Sequence, residues 1–234
     1  MALPLYLAMT AAELSCAPAI PECYAYMACH FSSYGTGLSN IPQSMPKDSL
    51  LIVNDRTPVQ GHDPKQIADQ LLQAAEDWEL AGILLDFQRP DDPLTTRITE
   101  EILSNLPGPV GISPQYQKPD CPIFLPPPPP DMSLSQYISD FQGRQIWLEA
   151  AMDSKAIVIS ENGCRECTPP LMLAPCKHRD TRLHCSYDIT VQPDHVQFSL
   201  HRTAEDLREL LEEAEELGIT KAIGLYQELG EWFL

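Results

Sequence analysis

Ala81-Gly82-Ile83-Leu84-Leu85-Asp86-Phe87-Gln88-Arg89-Pro90 is an apolar run that stops abruptly in polar side chains. A short continuous apolar run of this kind reads as a strand buried on both faces, the habit of a parallel sheet. Just upstream, residues 64–78 place Ile67, Leu71, Leu72, Ala75 and Trp78 along one side of a helix, the spacing of a single buried face. Asp63 suits the N-cap and Pro64 the first helical position, where a missing N–H is harmless. An amphipathic helix feeding an apolar strand with a polar end is one β-α unit of a parallel sheet.

The same rhythm extends in both directions. Apolar runs predict strands at residues 3–9, 24–31, 50–54, 82–87, 109–113, 122–125, 145–150, 156–160, 196–201 and 222–227. Helices are predicted at 64–78, 93–106 (stopping before Pro107-Gly108-Pro109), 134–141 and 204–217, the last with Thr203 as N-cap, Asp206 three residues on and Gly218 as its stop. Ten strands are more than a closed (β/α)8 barrel holds. Residues 185–202 read as a hairpin turning at Gln192-Pro193-Asp194, and only five residues separate 145–150 from 156–160, too few for a crossover helix. The expected architecture is therefore α/β: a TIM-barrel-like fold, imperfect in its second half, with an inserted hairpin. An open doubly wound sheet is the alternative. The 234 residues suit one domain, 1–234. Five prolines, Pro126 to Pro130, form a spacer that would extend about 15 Å as a polyproline II rod.

In a β/α barrel, chemistry gathers where the strands end, because the following loops converge there. The polar residues at those ends are His30; Asn54, Asp55 and Arg56; Asp86, Gln88 and Arg89; Gln115 and Tyr116; Glu149 and Asp153; and Tyr226, Gln227 and Glu228. Any one of them serves equally well as a turn or cap residue. Together they imply a polar cleft, since charged groups within apolar strands are costly unless they face water or a partner.

The run from 81 to 90 also resembles the signature strand of the family-18 glycoside hydrolases, the chitinase family, written D-G-x-D-x-D-x-E and followed by an aromatic and a proline. Gly82, Ile83, Leu85, Asp86, Phe87 and Pro90 fit it. Ala81 and Leu84 stand where the family has its first two aspartates, and Gln88 replaces the terminal glutamate. Cys23-Tyr24-Ala25-Tyr26 is similar to the family's second strand, so the likeness covers roughly residues 20–90. It implies a barrel in which Gln88 occupies the position of the proton donor and Asp86 that of the aspartate orienting the substrate's acetamido group. The acetamido oxygen is the nucleophile in this substrate-assisted chemistry. An amide donates a hydrogen bond but delivers no proton, and a lost general acid lowers the rate by about 10²–10⁴. The expected function is a barrel binding a glycan or similar polar ligand without chitinase chemistry. The alternative is a hydrolase with relocated carboxylates from Asp86, Glu149 or Glu228. An interaction protein using the proline rod is a third reading.

Composition narrows the partners. A formal net charge of −18 opposes binding to nucleic acid or an anionic membrane. Part of it is local, since residues 204–216 carry Glu205, Asp206, Glu209, Glu212, Glu213, Glu215 and Glu216 against Arg208. No apolar run nears the roughly 20 residues of a membrane span, and the apolar start has no basic segment of the kind that opens a signal peptide. Eight cysteines in such a chain suggest reduced thiols and a cytoplasmic location. Cys164-x-x-Cys167 with Cys176, His178, His184 and Cys185 offers zinc-type ligands, but no second knuckle matches the first, so no metal and no cofactor are expected.

Overall fold

The computed structural model describes residues 3–33, 37–57, 63–89, 92–106, 108–116, 118, 120–169 and 175–233. Pro90, Pro107 and residues 34–36 of the loop after the second strand lie outside them. In chain order the elements are β1 (Leu5–Met9), α1 (Ala11–Cys16), β2 (Tyr24–Phe31), β3 (Leu38–Ser39), β4 (Leu50–Asn54), α2 (Pro64–Trp78), β5 (Gly82–Asp86), α3 (Pro93–Asn105), β6 (Val110–Ile112), β7 (Ile123–Leu125), α4 (Leu134–Tyr137) and β8 (Ile146–Ala150). Then come β9 (Ser154–Ser160), β10 (Gly163–Cys167), β11 (His178–Asp180), β12 (Cys185–Val191), β13 (His195–His201), α5 (Ala204–Glu216), β14 (Lys221–Leu225) and α6 (Tyr226–Phe233). The chain divides into two compact units, one of Pro4–Leu125, Gly143–Glu149 and Thr220–Leu234, the other chiefly of Pro126–Gln142 and Ala150–Ile219.

The first unit is a closed barrel. Its strands run in the order β1-β14-β8-β7-β6-β5-β4-β2, and β2 returns to pair with β1 through Leu7–Tyr24, Ala8–Ala25 and Met9–Tyr26. These eight strands are parallel, and the short β3 adds antiparallel to β2. Among the described residues between β6 and β7, the chain makes a 3-10 turn, Pro114–Tyr116.

Side-chain alternation sorts the residues into two layers. Leu50 and Ile52 of β4 and Leu84 of β5 turn inward with Tyr6, Ala8, Ala25, Phe124, Trp147 and Ile223. Leu51 and Val53 turn outward with Ile83, Leu85 and Phe87, toward Ile67, Ala68 and Leu71 of α2 and Ile98 and Ile102 of α3. Asp63 caps α2 by accepting from Lys65 N, and Asp92 caps α3 from Leu94 N and Thr95 N. Both helices carry proline in the first turn.

The expected strand at 222–227 stops at Leu225, and Tyr226, Gln227 and Glu228 form the first turn of α6. The reason is packing. Gly230 lies over the Tyr226 ring one turn on, where a Cβ would come within 3.2 Å of it, so the helix closes against the outer core.

The second unit holds a five-stranded antiparallel sheet, β10-β9-β13-β12-β11, and α5. The hairpin at 185–202 is its β12–β13 pair. Asp206, fully buried, caps α5 and accepts from Arg179 Nε at 2.7 Å, Ser186 Oγ at 2.9 Å and Thr203 N at 3.0 Å. The prolines are used internally. Pro128 and Pro130 are buried, the Pro128 carbonyl accepts from Arg202 Nη1 at 2.9 Å, and the Pro126 carbonyl accepts from Tyr137 Oη at 3.0 Å.

Trp147 is the largest side chain inside the barrel, and glycines on two neighbouring strands make room for it. A Cβ on Gly111 would overlap the Trp147 indole, and one on Gly82 would come 2.8 Å from the Pro109 carbonyl and 3.0 Å from Trp147. Gly111→Ala is therefore expected to destabilise the barrel by about 1–3 kcal/mol, the usual effect of overpacking. Urea unfolding measures this, and an unchanged midpoint would show that the ring has room to move.

Candidate functional site

The mouth of the barrel is built from the strand-end residues of β4 and β5. Asn54 is the register partner of Asp86, and His30 is the partner of Asn54, so three successive strands place these side chains at one level. Asn54 and Asp86 continue the inward parity of Ile52 and Leu84. They line a cavity of about 150 Å³ together with Arg56, Gln88 and Glu149. Its remaining wall is apolar and includes Met27, Phe124, Ile223 and Leu225. Every lining residue belongs to the barrel unit.

Asp55 has the opposite parity and a different role. Its side chain is 1% exposed. Oδ1 accepts from Gln88 N at 2.9 Å and Oδ2 from Arg89 N at 2.8 Å. The chain beyond β5 is thereby held to the end of β4. Arg89 returns the connection, donating Nε to the Asp55 carbonyl at 2.9 Å and Nη2 to the Arg56 carbonyl at 3.0 Å. On the other flank, Gln115 Nε2 donates to the Phe87 carbonyl and Tyr116 Oη to the Arg89 carbonyl. Asn54 Nδ2 donates to the Cys29 carbonyl at 3.1 Å and Oδ1 accepts from Arg56 N at 3.2 Å. Four backbone groups at the β5 exit are thus fixed by side chains from its neighbours.

On this frame Gln88 donates its side-chain amide to Asp86 Oδ1. Burial raises the Asp86 carboxyl above the ordinary aspartate range; the Gln88 amide and Arg56 work against that rise, and the charge of Asp55 adds to it. The carboxylate is oriented by a neutral donor, and among the described residues it forms no ion pair.

The other strand-end residues lie elsewhere. His30 Nδ1 sits 3.0 Å from the Ala28 carbonyl, and His30 does not line the cavity. Tyr226 packs against the outer core, Gln227 is exposed, and Glu228 lies on α6 outside the cavity lining. The apolar wall was missed in the sequence, although its signal was present: the inward residues of a strand continue with period two up to the mouth. Cys164 and Cys167 lie on β10 opposite Ile159 and Ala156, so the two thiols leave the sheet on opposite faces, unlike a zinc knuckle.

Two measurements follow from this geometry. Asp55→Ala removes two charge-assisted hydrogen bonds that a buried carboxylate accepts from backbone amides, and is expected to lower stability by about 2–4 kcal/mol in urea unfolding. For Asp86 the folded-state pKa lies above the unfolded one, so its contribution to stability is present below the unfolded pKa and is lost as the pH rises through the folded pKa. Asp86→Asn should therefore melt above wild type at about pH 7, with the gap closing toward about pH 3. A variant melting lower at neutral pH would show that the carboxylate is satisfied as an anion.

Neither a family model nor a curated relative matches the sequence. Solved structures do. The chain is similar to a family-18 N-acetylglucosaminidase from Paenibacillus barengoltzii, at a TM-score of 0.58 and 10% identity over 95% of this chain and 94% of that one. A family-18 chitinase from Cycas revoluta, solved in complex with allosamidin, gives 0.57 and 10% with the same coverage. The spore cortex-lytic enzyme SleL of Bacillus cereus gives 0.53 and 11%, over 95% of this chain and 70% of that one. At such identities the likeness is one of fold: this chain carries the barrel fold of the family-18 glycoside hydrolases.

Proposed function

We propose that the barrel binds a glycan at its mouth and does not hydrolyse it by chitinase chemistry. The observation that carries this reading is Gln88, whose amide is spent on orienting Asp86 at the position where the resemblance calls for a proton donor. An oriented carboxylate with a neutral donor recognises hydroxyl and N–H groups, but it has no acid to protonate a leaving oxygen. The cavity supports a sugar-sized contact. Its volume of about 150 Å³ is near that of a cavity able to hold benzene and below the roughly 300–1,000 Å³ of a complete ligand pocket. One ring or substituent would be enclosed while the rest of a chain lay outside. The apolar floor and polar rim suit the two kinds of surface on a pyranose. A Cycas revoluta chitinase of similar fold was solved with (GlcNAc)4, which favours a carbohydrate over other polar ligands. A cytoplasmic location belongs to the same proposal and rests on the eight cysteines, which in a chain of this kind suggest reduced thiols.

A hydrolase using Asp86 and Glu149 is the second reading, favoured because both line one cavity. The two readings part on chromogenic chito-oligosaccharides. The binding reading expects no turnover by wild type and little by Gln88→Glu, because Ala81 and Leu84 supply none of the family's acidic support, while calorimetry detects glycan binding by both. Robust wild-type turnover that is lost in Glu149→Gln would establish the second reading instead.

A further inference from the structure

Among the described residues, the polar side of the mouth cavity carries Asp86 and Glu149 against the single cation Arg56, with Asn54 and Gln88 neutral. Arg56 is exposed, whereas Asp86 is half-buried in a lining that also includes Leu84 and Phe124. The only side-chain hydrogen bond that Asp86 receives among the described residues comes from an uncharged amide. With Arg56 exposed and no ion pair to Asp86 among the described residues, the carboxylate has lost hydration in an apolar-walled cavity that the charge of Arg56 offsets only in part. Burial raises its pKa accordingly. A ligand bringing a positive charge into that cavity gains more than a neutral one, and a chain of net charge −18 draws cations toward it.

We propose that the ligand is a cationic amino sugar, a glycan of 2-amino-2-deoxy residues whose free ammonium group sits between Asp86 and Glu149. This rests on the glycan-binding reading and goes beyond it by naming the class of sugar. An acetylated amine would present a neutral amide and a methyl group to the same carboxylates, so the site should discriminate against N-acetylation. Gln88 then acts as a positioning residue: it fixes the Asp86 carboxylate while leaving its charge for the ligand.

Isothermal titration calorimetry of the full chain with a glucosamine tetramer, its fully N-acetylated form, cellotetraose and tetralysine tests the assignment. The glucosamine tetramer is expected to bind at least about tenfold tighter than the acetylated form, a difference of about 1.4 kcal/mol. Asp86→Asn should reduce that preference to within about threefold, Glu149→Gln should weaken it in the same direction, and Arg56→Gln should strengthen it. Equal or tighter binding of the acetylated tetramer overturns the amine assignment and leaves the glycan reading standing. Binding by none of the three sugars removes both. A preference for the amine that survives both Asp86→Asn and Glu149→Gln, with tetralysine binding equally well, shows general attraction to an acidic protein and also overturns the assignment.

Discussion

A carboxylate buried at the end of one strand holds the backbone just beyond the next. Asp55 accepts from the amides of both Gln88 and Arg89, and Arg89 donates back to the carbonyls of Asp55 and Arg56. Burying a carboxylate is unfavourable unless it is fully hydrogen-bonded. The exchange of bonds therefore admits one arrangement of the two strand ends, with Asp55 turned from the lumen and Asn54, Asp86 and Gln88 turned toward it. The candidate site depends on this tie. Were it loosened, Gln88 would have no fixed backbone from which to orient Asp86.

Much of the barrel was legible because it is written in periodicity. The α2 stripe of Ile67 and Leu71 and the continuous run from Gly82 to Leu85 are signals of one buried face and of two. The hairpin at 185–202 was legible from the turn at Gln192-Pro193-Asp194. Less legible were features set by contacts distant in sequence. Asp55 reads as an ordinary turn residue, and only the fold shows that its partners lie 33 and 34 positions away. The last strand looked longer than it is, because Tyr226 is as apolar in a helix packed on Gly230 as it would be in a strand. The proline run reads as a free rod, yet its carbonyls take donors from Arg202 and Tyr137.

The resemblance in sequence and the likeness in fold meet at one residue pair. Asp86 sits on the inward face of β5, and Gln88 lies two positions on with its amide bonded to it. Replacing a glutamic acid by glutamine preserves length and hydrogen bonding while removing the proton. At position 88, where the resemblance places the family's proton donor, the amide bonds to Asp86 and has no proton to deliver.

The central claim is that ligand is held at Asp86 and Gln88 and left intact. A crystal structure of the wild-type chain after prolonged incubation with a glucosamine tetramer tests it most directly. The account predicts an uncleaved oligosaccharide with one sugar in the mouth cavity, polar atoms within hydrogen-bond reach of Asp86, and Gln88 still bonded to that carboxylate. A cleaved product in the mouth, or an intact chain bound only away from it, would contradict the account.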